Sequence, residues 1–166
     1  MKLRMKSELD GMTPKENPLE RTFEPRLVLF QCRFNHYSTA DLKRIEALDT
    51  ADVKCIQVPC AGRISPLFIL NAVQGGADGV GISGCRPGIC HFKQGNLGAR
   101  RQLAAFRNLL TYVGMAAERL RFVWMDPADR GRLVREVEAL RAAVQPLGPA
   151  RCLVTRPIVL SEMGIN

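Results

Sequence analysis

Ala77-Asp-Gly-Val-Gly-Ile-Ser83, then the glycine-rich stretch from Gly84 to Gly95, then Leu97-Gly-Ala-Arg-Arg-Gln-Leu-Ala-Ala-Phe-Arg-Asn-Leu-Leu-Thr-Tyr-Val113: these three segments decide the fold. The first is a short β-prone run. The second can only turn. The third carries Leu103, Phe106, Leu109, Leu110 and Val113 as one apolar stripe at helical spacing, and Gly114 stops it. Strand, loop and helix in that order form the repeating unit of a parallel sheet, whose crossovers are right-handed.

The same unit recurs on both sides. Arg26 to Gln31 reads as a first strand, and Thr39 can cap a helix running through Asp41, Leu42, Ile45 and Leu48. Asp52 to Val58 is a second strand, ended by Pro59. A helix over Ser65 to Val73 has proline in its first turn and Gly75-Gly76 after its end. Leu120 to Met125 is a fourth strand. A last helix begins at Asp129, faces Leu133, Val137, Leu140 and Val144 inward, and ends at Pro146, Gly148 and Pro149. The expectation is an α/β domain over residues 26–149, an open parallel sheet of four strands with flanking helices. Residues 1–25 read as a polar arm and 150–166 as a tail that can add an edge strand or lie on a partner. The pattern leaves the order of the strands open.

The chain has 166 residues, 46% hydrophobic and 24% charged, which suits one soluble domain with a real core. No run approaches the roughly eighteen apolar residues of a membrane span, and the N-terminus lacks the apolar stretch of a secretion signal. The expected location is the cytoplasm. There, six cysteines are metal ligands or buried small hydrophobes rather than disulfides. The net charge of +8 is uneven: no Asp or Glu falls between Gly79 and Ala117, where Arg86, Lys93, Arg100, Arg101 and Arg107 lie. Such a stretch is either a solvated face or a docking surface for an anionic partner, and near a metal centre it offsets thiolate charge. Aromatic residues are few and no recognition motif accompanies the basic ones, so nucleic acid is not the expected partner.

Cys32, Cys60, Cys85 and Cys90 each follow an apolar run and sit among turn residues. Ligands of open α/β sheets bind beyond the carboxyl ends of the strands, so these thiols belong to one rim. Thiolates select zinc, copper(I) or iron–sulfur clusters, and four of them close either a tetrahedral zinc or a 2Fe–2S cluster. Spacing leaves the two open, beside the plain reading of four buried thiols and that of a thiol redox enzyme using Cys85 and Cys90. Cys55 alternates with Val53 and Gln57 and reads as core. Cys152 lies in the tail, away from the others. His91 is the best nitrogen candidate, as a ligand or a donor to sulfur, and His36 follows Cys32 in its loop.

Five motifs then occur in order: Pro59-Cys-Ala-Gly-Arg-Ile-Ser-Pro66, Gly75-Gly-Ala-Asp-Gly-Val80, Gly84-Cys-Arg-Pro-Gly-Ile-Cys-His91, Gly95-Asn-Leu-Gly-Ala-Arg-Arg101 and Glu118-Arg-Leu-Arg-Phe-Val-Trp124. From Val28 to about Gly148 the chain resembles the delta subunit of methyl-viologen-reducing hydrogenase. The resemblance implies a 2Fe–2S cluster and single-electron relay between a redox partner and a flavin-bearing, heterodisulfide-reductase-like subunit. Hydrogenase, formate dehydrogenase and aryl-CoA reductase modules all fit as the partner. Where that family carries Cys-Cys-x-x-Cys at the first strand end, this chain has Gln31, Cys32 and Asn35. The expected ligands are therefore Cys32, Cys60, Cys85 and Cys90 in a non-catalytic electron-transfer subunit. The rivals are a structural zinc domain and a cluster-less adaptor.

Overall fold

The computed structural model describes residues 23–35, 43, 46–129 and 131–151. The arm to residue 22, most of the helix expected from Thr39, His36, and the tail from Cys152 lie outside the described residues. Four strands form one all-parallel sheet: β1 (Leu27–Cys32), β2 (Val53–Val58), β3 (Gly79–Cys85) and β4 (Leu120–Met125). Their spatial order is β2-β1-β3-β4, and among them stand α1 (Pro66–Gln74), α2 (Gly95–Tyr112) and α3 (Arg132–Val144). The α/β expectation holds.

Both faces of the sheet are covered, so the central β3 is buried at every position, and β1 at all but Val28. Phe30, Val80 and Ile82 on one face pack against Ile69 and Val73 of α1 and Leu103, Phe106 and Leu110 of α2. Leu27, Leu29, Val123 and Met125 on the other meet Leu133, Val137, Leu140 and Val144 of α3. That α3 quartet is the set its spacing predicts. Burying each such side chain is worth about 1.5–3 kcal/mol.

Besides one-residue differences at the ends of β1, β2 and α1, three expectations shift. The third strand runs from Gly79 to Cys85 rather than from Ala77 to Ser83, because Asp78 turns back on β1, its N–H donating to the Arg26 carbonyl at 2.7 Å. The last helix starts at Arg132 rather than Asp129, whose carboxylate instead receives Arg132 and Arg135 from the helix's first turn. In α2, Leu109 and Val113 are exposed, and Ala99 joins Leu103, Phe106 and Leu110 in the core. A helix over a two-strand surface buries a narrower stripe than the sequence offers. Among the described residues no helix is long and apolar enough to cross a membrane.

Candidate metal centre

The strand order reverses between β1 and β3, since the chain leaves β1 toward β2 and then crosses back. Such a switch point opens a crevice at the carboxyl edge of a parallel sheet. Cys32 is the last residue of β1 and Cys85 the last of β3, and their sulfurs lie 3.8 Å apart. Two thiolates on one tetrahedral metal with bonds of about 2.3 Å stand about that far apart. The Cys32 thiol also points at the Pro59 carbonyl, 3.9 Å away, which brings the end of β2 to the same spot.

Cys60 follows β2 and caps a short 3₁₀ turn, Ala61–Arg63, in which the Gly62 N–H donates to the Cys60 sulfur at 3.4 Å. Backbone N–H groups aimed at sulfur are what a thiolate ligand uses to spread its charge. This turn presses against the start of α2. A Cβ on Gly62 would stand 2.7 Å from the Gly95 carbonyl oxygen, so two glycine backbones meet where side chains have no room. A Cβ on Gly95 would lie 2.5 Å from the Cys60 sulfur and 3.8 Å from that of Cys90. The first turn of α2 is thus a bare backbone shelf beneath a second pair of thiols.

Cys32, Cys60 and Cys85 are buried, and Cys90 is partly exposed in the loop that follows β3. Burial pushes the Cys85 thiol up to about 12, with the neighbouring Cys32 and Cys90 adding to the shift. Burial also raises Cys60, against the Gly62 N–H, again with contributions from Cys32 and Cys90. The thiols therefore sense one another, and burial favours the protonated form of Cys60 and Cys85. Among the described residues no three of Cys, His, Asp and Glu gather as a single-ion site needs. Cys32 and Cys85 are in direct contact, and Cys60 and Cys90 both lie against Gly95.

Of the residues that frame the thiols, His91 and Asn35 stood out in the sequence, and Asn96 did not. Asn96 is buried, and its amide donates to the carbonyls of Cys85 (2.7 Å) and Arg86 (3.2 Å), fixing where β3 ends. An amide in the first turn of a helix after a glycine loop was the available signal. His91 lies face to face with Phe34, ring centres 3.8 Å apart, and Phe92 meets both rings edge-on. Asn35, in the turn after β1, is buried, and its N–H donates to the Cys32 carbonyl at 3.1 Å. Cys55 is half-buried against the α3-side core, away from the other thiols, and its pKa is pushed up to about 11 by burial first and by Asp49 second.

Residues 27–148 match the family model for the methyl-viologen-reducing hydrogenase delta subunit. The chain is 34% identical over 132 residues to the iron-sulfur subunit of the F420-non-reducing hydrogenase of Archaeoglobus profundus, covering 79% of this chain and 96% of that protein. It is 34% identical over 127 residues to the vhu iron-sulfur subunit of the F420-non-reducing hydrogenase of Methanococcus maripaludis, 76% of this chain and 95% of that one. It also matches a much longer protein of Methanosarcina mazei, part of its ferredoxin:CoB-CoM heterodisulfide reductase, at 31% over 126 residues, where it spans only 16% of the length. With a family model covering nearly the whole described domain and relatives matched almost end to end, the chain belongs to the methyl-viologen-reducing hydrogenase delta-subunit family.

Proposed function

We propose that this chain is an electron-transfer subunit that holds a 2Fe–2S cluster on Cys32, Cys60, Cys85 and Cys90. In this reading it relays electrons between a redox partner and a heterodisulfide-reductase-like flavoprotein. The observation that carries it is the contact of Cys32 with Cys85 at the switch point of the sheet, with Cys60 and Cys90 both against Gly95. A mononuclear zinc asks for four sulfurs about one point, whereas a two-iron cluster with four cysteines takes two on each iron. The donor chemistry fits: four soft thiols, a backbone N–H on one sulfur, and a shelf that a single Cβ would fill. When bound, the cluster supplies one-electron redox chemistry. The chain's own contribution is to bury it, to set its potential through the Gly62 N–H and the nearby arginines, and to keep water from it. The iron-sulfur proteins named among the relatives support the assignment. The match inside a longer heterodisulfide reductase protein further suggests that this domain works beside such a partner, either fused or separate.

Anaerobic purification of the full chain tests this. The expected result is two irons and two acid-labile sulfides per chain, a visible charge-transfer band, and an EPR signal on reduction. Cys60→Ser is expected to remove most of the iron while the far-ultraviolet circular dichroism stays unchanged. A colourless protein holding one zinc, or Cys60→Ser with undiminished iron, would falsify the assignment.

A further inference from the structure

The rim over the thiols carries an exposed aromatic cap. Phe34 follows Cys32 by two residues, His91 follows Cys90 directly, and Phe92 comes next. The three rings pack on one another, yet Phe92 remains 51% exposed. Lys93 behind it takes φ 60, and no other described residue except glycine has positive φ. That turn, closed by the Lys93 N–H on the Cys90 carbonyl at 2.9 Å, holds the loop in a shape that side chains disfavour. Apolar rings left in water at such a turn are a candidate contact surface.

The surrounding charge has one sign. Arg33 beside Phe34, Arg63 in the 3₁₀ turn after Cys60, and Lys93 are all exposed, and none has an ion-pair partner among the described residues. Arg86 is held by Asp126 at 3.2 Å, and Asp129 farther along the same loop is taken by Arg132 and Arg135. An aromatic centre with a cationic rim is the complement of a protein surface whose apolar centre is ringed by Asp and Glu. Nucleic acid would ask instead for rings separated so that bases can stack on each one, and here the rings stack on one another.

We propose that the Phe34–His91–Phe92 cap with Arg33, Arg63 and Lys93 is the docking face for an acidic protein partner, placed so that the partner's redox centre comes closest to the cysteines. Its electron-transfer purpose rests on the cluster reading, but the contact itself does not. Docking there would bury Phe92 centrally and leave the cations at the rim, where they speed encounter more than they tighten it.

The test uses the full chain, tagged and purified with its native complex, carrying a photo-reactive phenylalanine analogue at position 92 or, as a control, at position 112. Tyr112 is 90% exposed at the opposite end of α2. Position 92 is expected to link to another protein of the redox complex through a peptide holding several Asp or Glu, in clear excess over position 112. Phe92→Glu is expected to lower recovery of that partner at least roughly tenfold, as losing an interface anchor does, with the iron content of the chain unchanged. Phe92→Leu, which keeps an apolar side chain, should lose less. Links only to nucleic acid, equal yield from position 112, or full recovery with Phe92→Glu overturns the docking face. Iron-free wild-type protein with the expected links sinks the cluster reading alone.

Discussion

The two edges of the sheet use polar chemistry in opposite ways. At the amino edge, buried Asp78 accepts from the N–H groups of Arg26 (2.9 Å) and Ala150 (2.8 Å). Buried Arg119 donates to the carbonyls of Asp78 (2.9 Å), Leu147 (3.1 Å) and Gly148 (2.8 Å). Every strong group there is spent on backbone, and the result is a clamp joining the starts of β1 and β3 to the turn that follows α3. At the carboxyl edge the buried groups include, besides Asn35 and Asn96, three thiols, which hydrogen-bond weakly and leave little unsatisfied when alone. The first edge is finished by the protein itself. The second is the edge at which we place the cluster.

The contrast breaks most directly at Arg119. Arg119→Ala leaves three carbonyls without their donor and should cost roughly 3–5 kcal/mol of stability, read as a lower denaturation midpoint. The folded fraction should keep its full iron per chain, because nothing at the other edge depends on Arg119. Loss of iron in parallel with stability would show the two edges to be one unit.

Gly95→Ala reverses the pattern. Its methyl would stand 2.5 Å from the Cys60 sulfur, so one thiol must move. The expected cost is about 1–3 kcal/mol, as for overpacking elsewhere, with a loss of iron out of proportion to it. Asn96→Ala should act more gently in the same direction, since it frees the carbonyls that end β3.

A smaller effect appears with pH in the metal-free protein. The fold raises Cys85 from 9.0 to about 12 and also raises Cys60, in both cases by burial first. The fold thus favours the protonated thiol. That stability is present in full below pH 9.0 and drains away as pH climbs toward 12. Urea midpoints should fall between pH 9.0 and about 12 in the metal-free chain, and less so in a loaded one, whose ligand thiols would already have lost their protons. Cys55→Ser marks the lower end of the scale: it should leave iron per chain unchanged, because that thiol packs against the α3-side core.

Much of this was legible in the chain because it is local. Four strands and the α3 quartet followed from runs and periods, and β4 matched its expected limits from Leu120 to Met125. The four cysteines of the proposed site were legible as candidates because thiols amid glycine and proline are chemically conspicuous. Asp78 and Arg119 were not, since one charged residue among many says nothing of burial until the elements around it are in place. The shelf at Gly95 was hidden for a similar reason: a glycine after a loop reads as a turn, and only the arrival of the 3₁₀ turn from Cys60 shows what its missing side chain admits.

By itself, then, the order of residues determined which segments become strands and helices and which side chains are candidates for a soft metal, because period and donor type are properties of neighbours along the chain. The tertiary structure alone decided the β2-β1-β3-β4 order, and with it that Cys32 and Cys85, 53 positions apart, end side by side. It also decided that the rings of Phe34 and Phe92 share a surface. Those outcomes depend on how helices pack across both faces of a sheet, a balance of contacts distant in sequence that no local window contains.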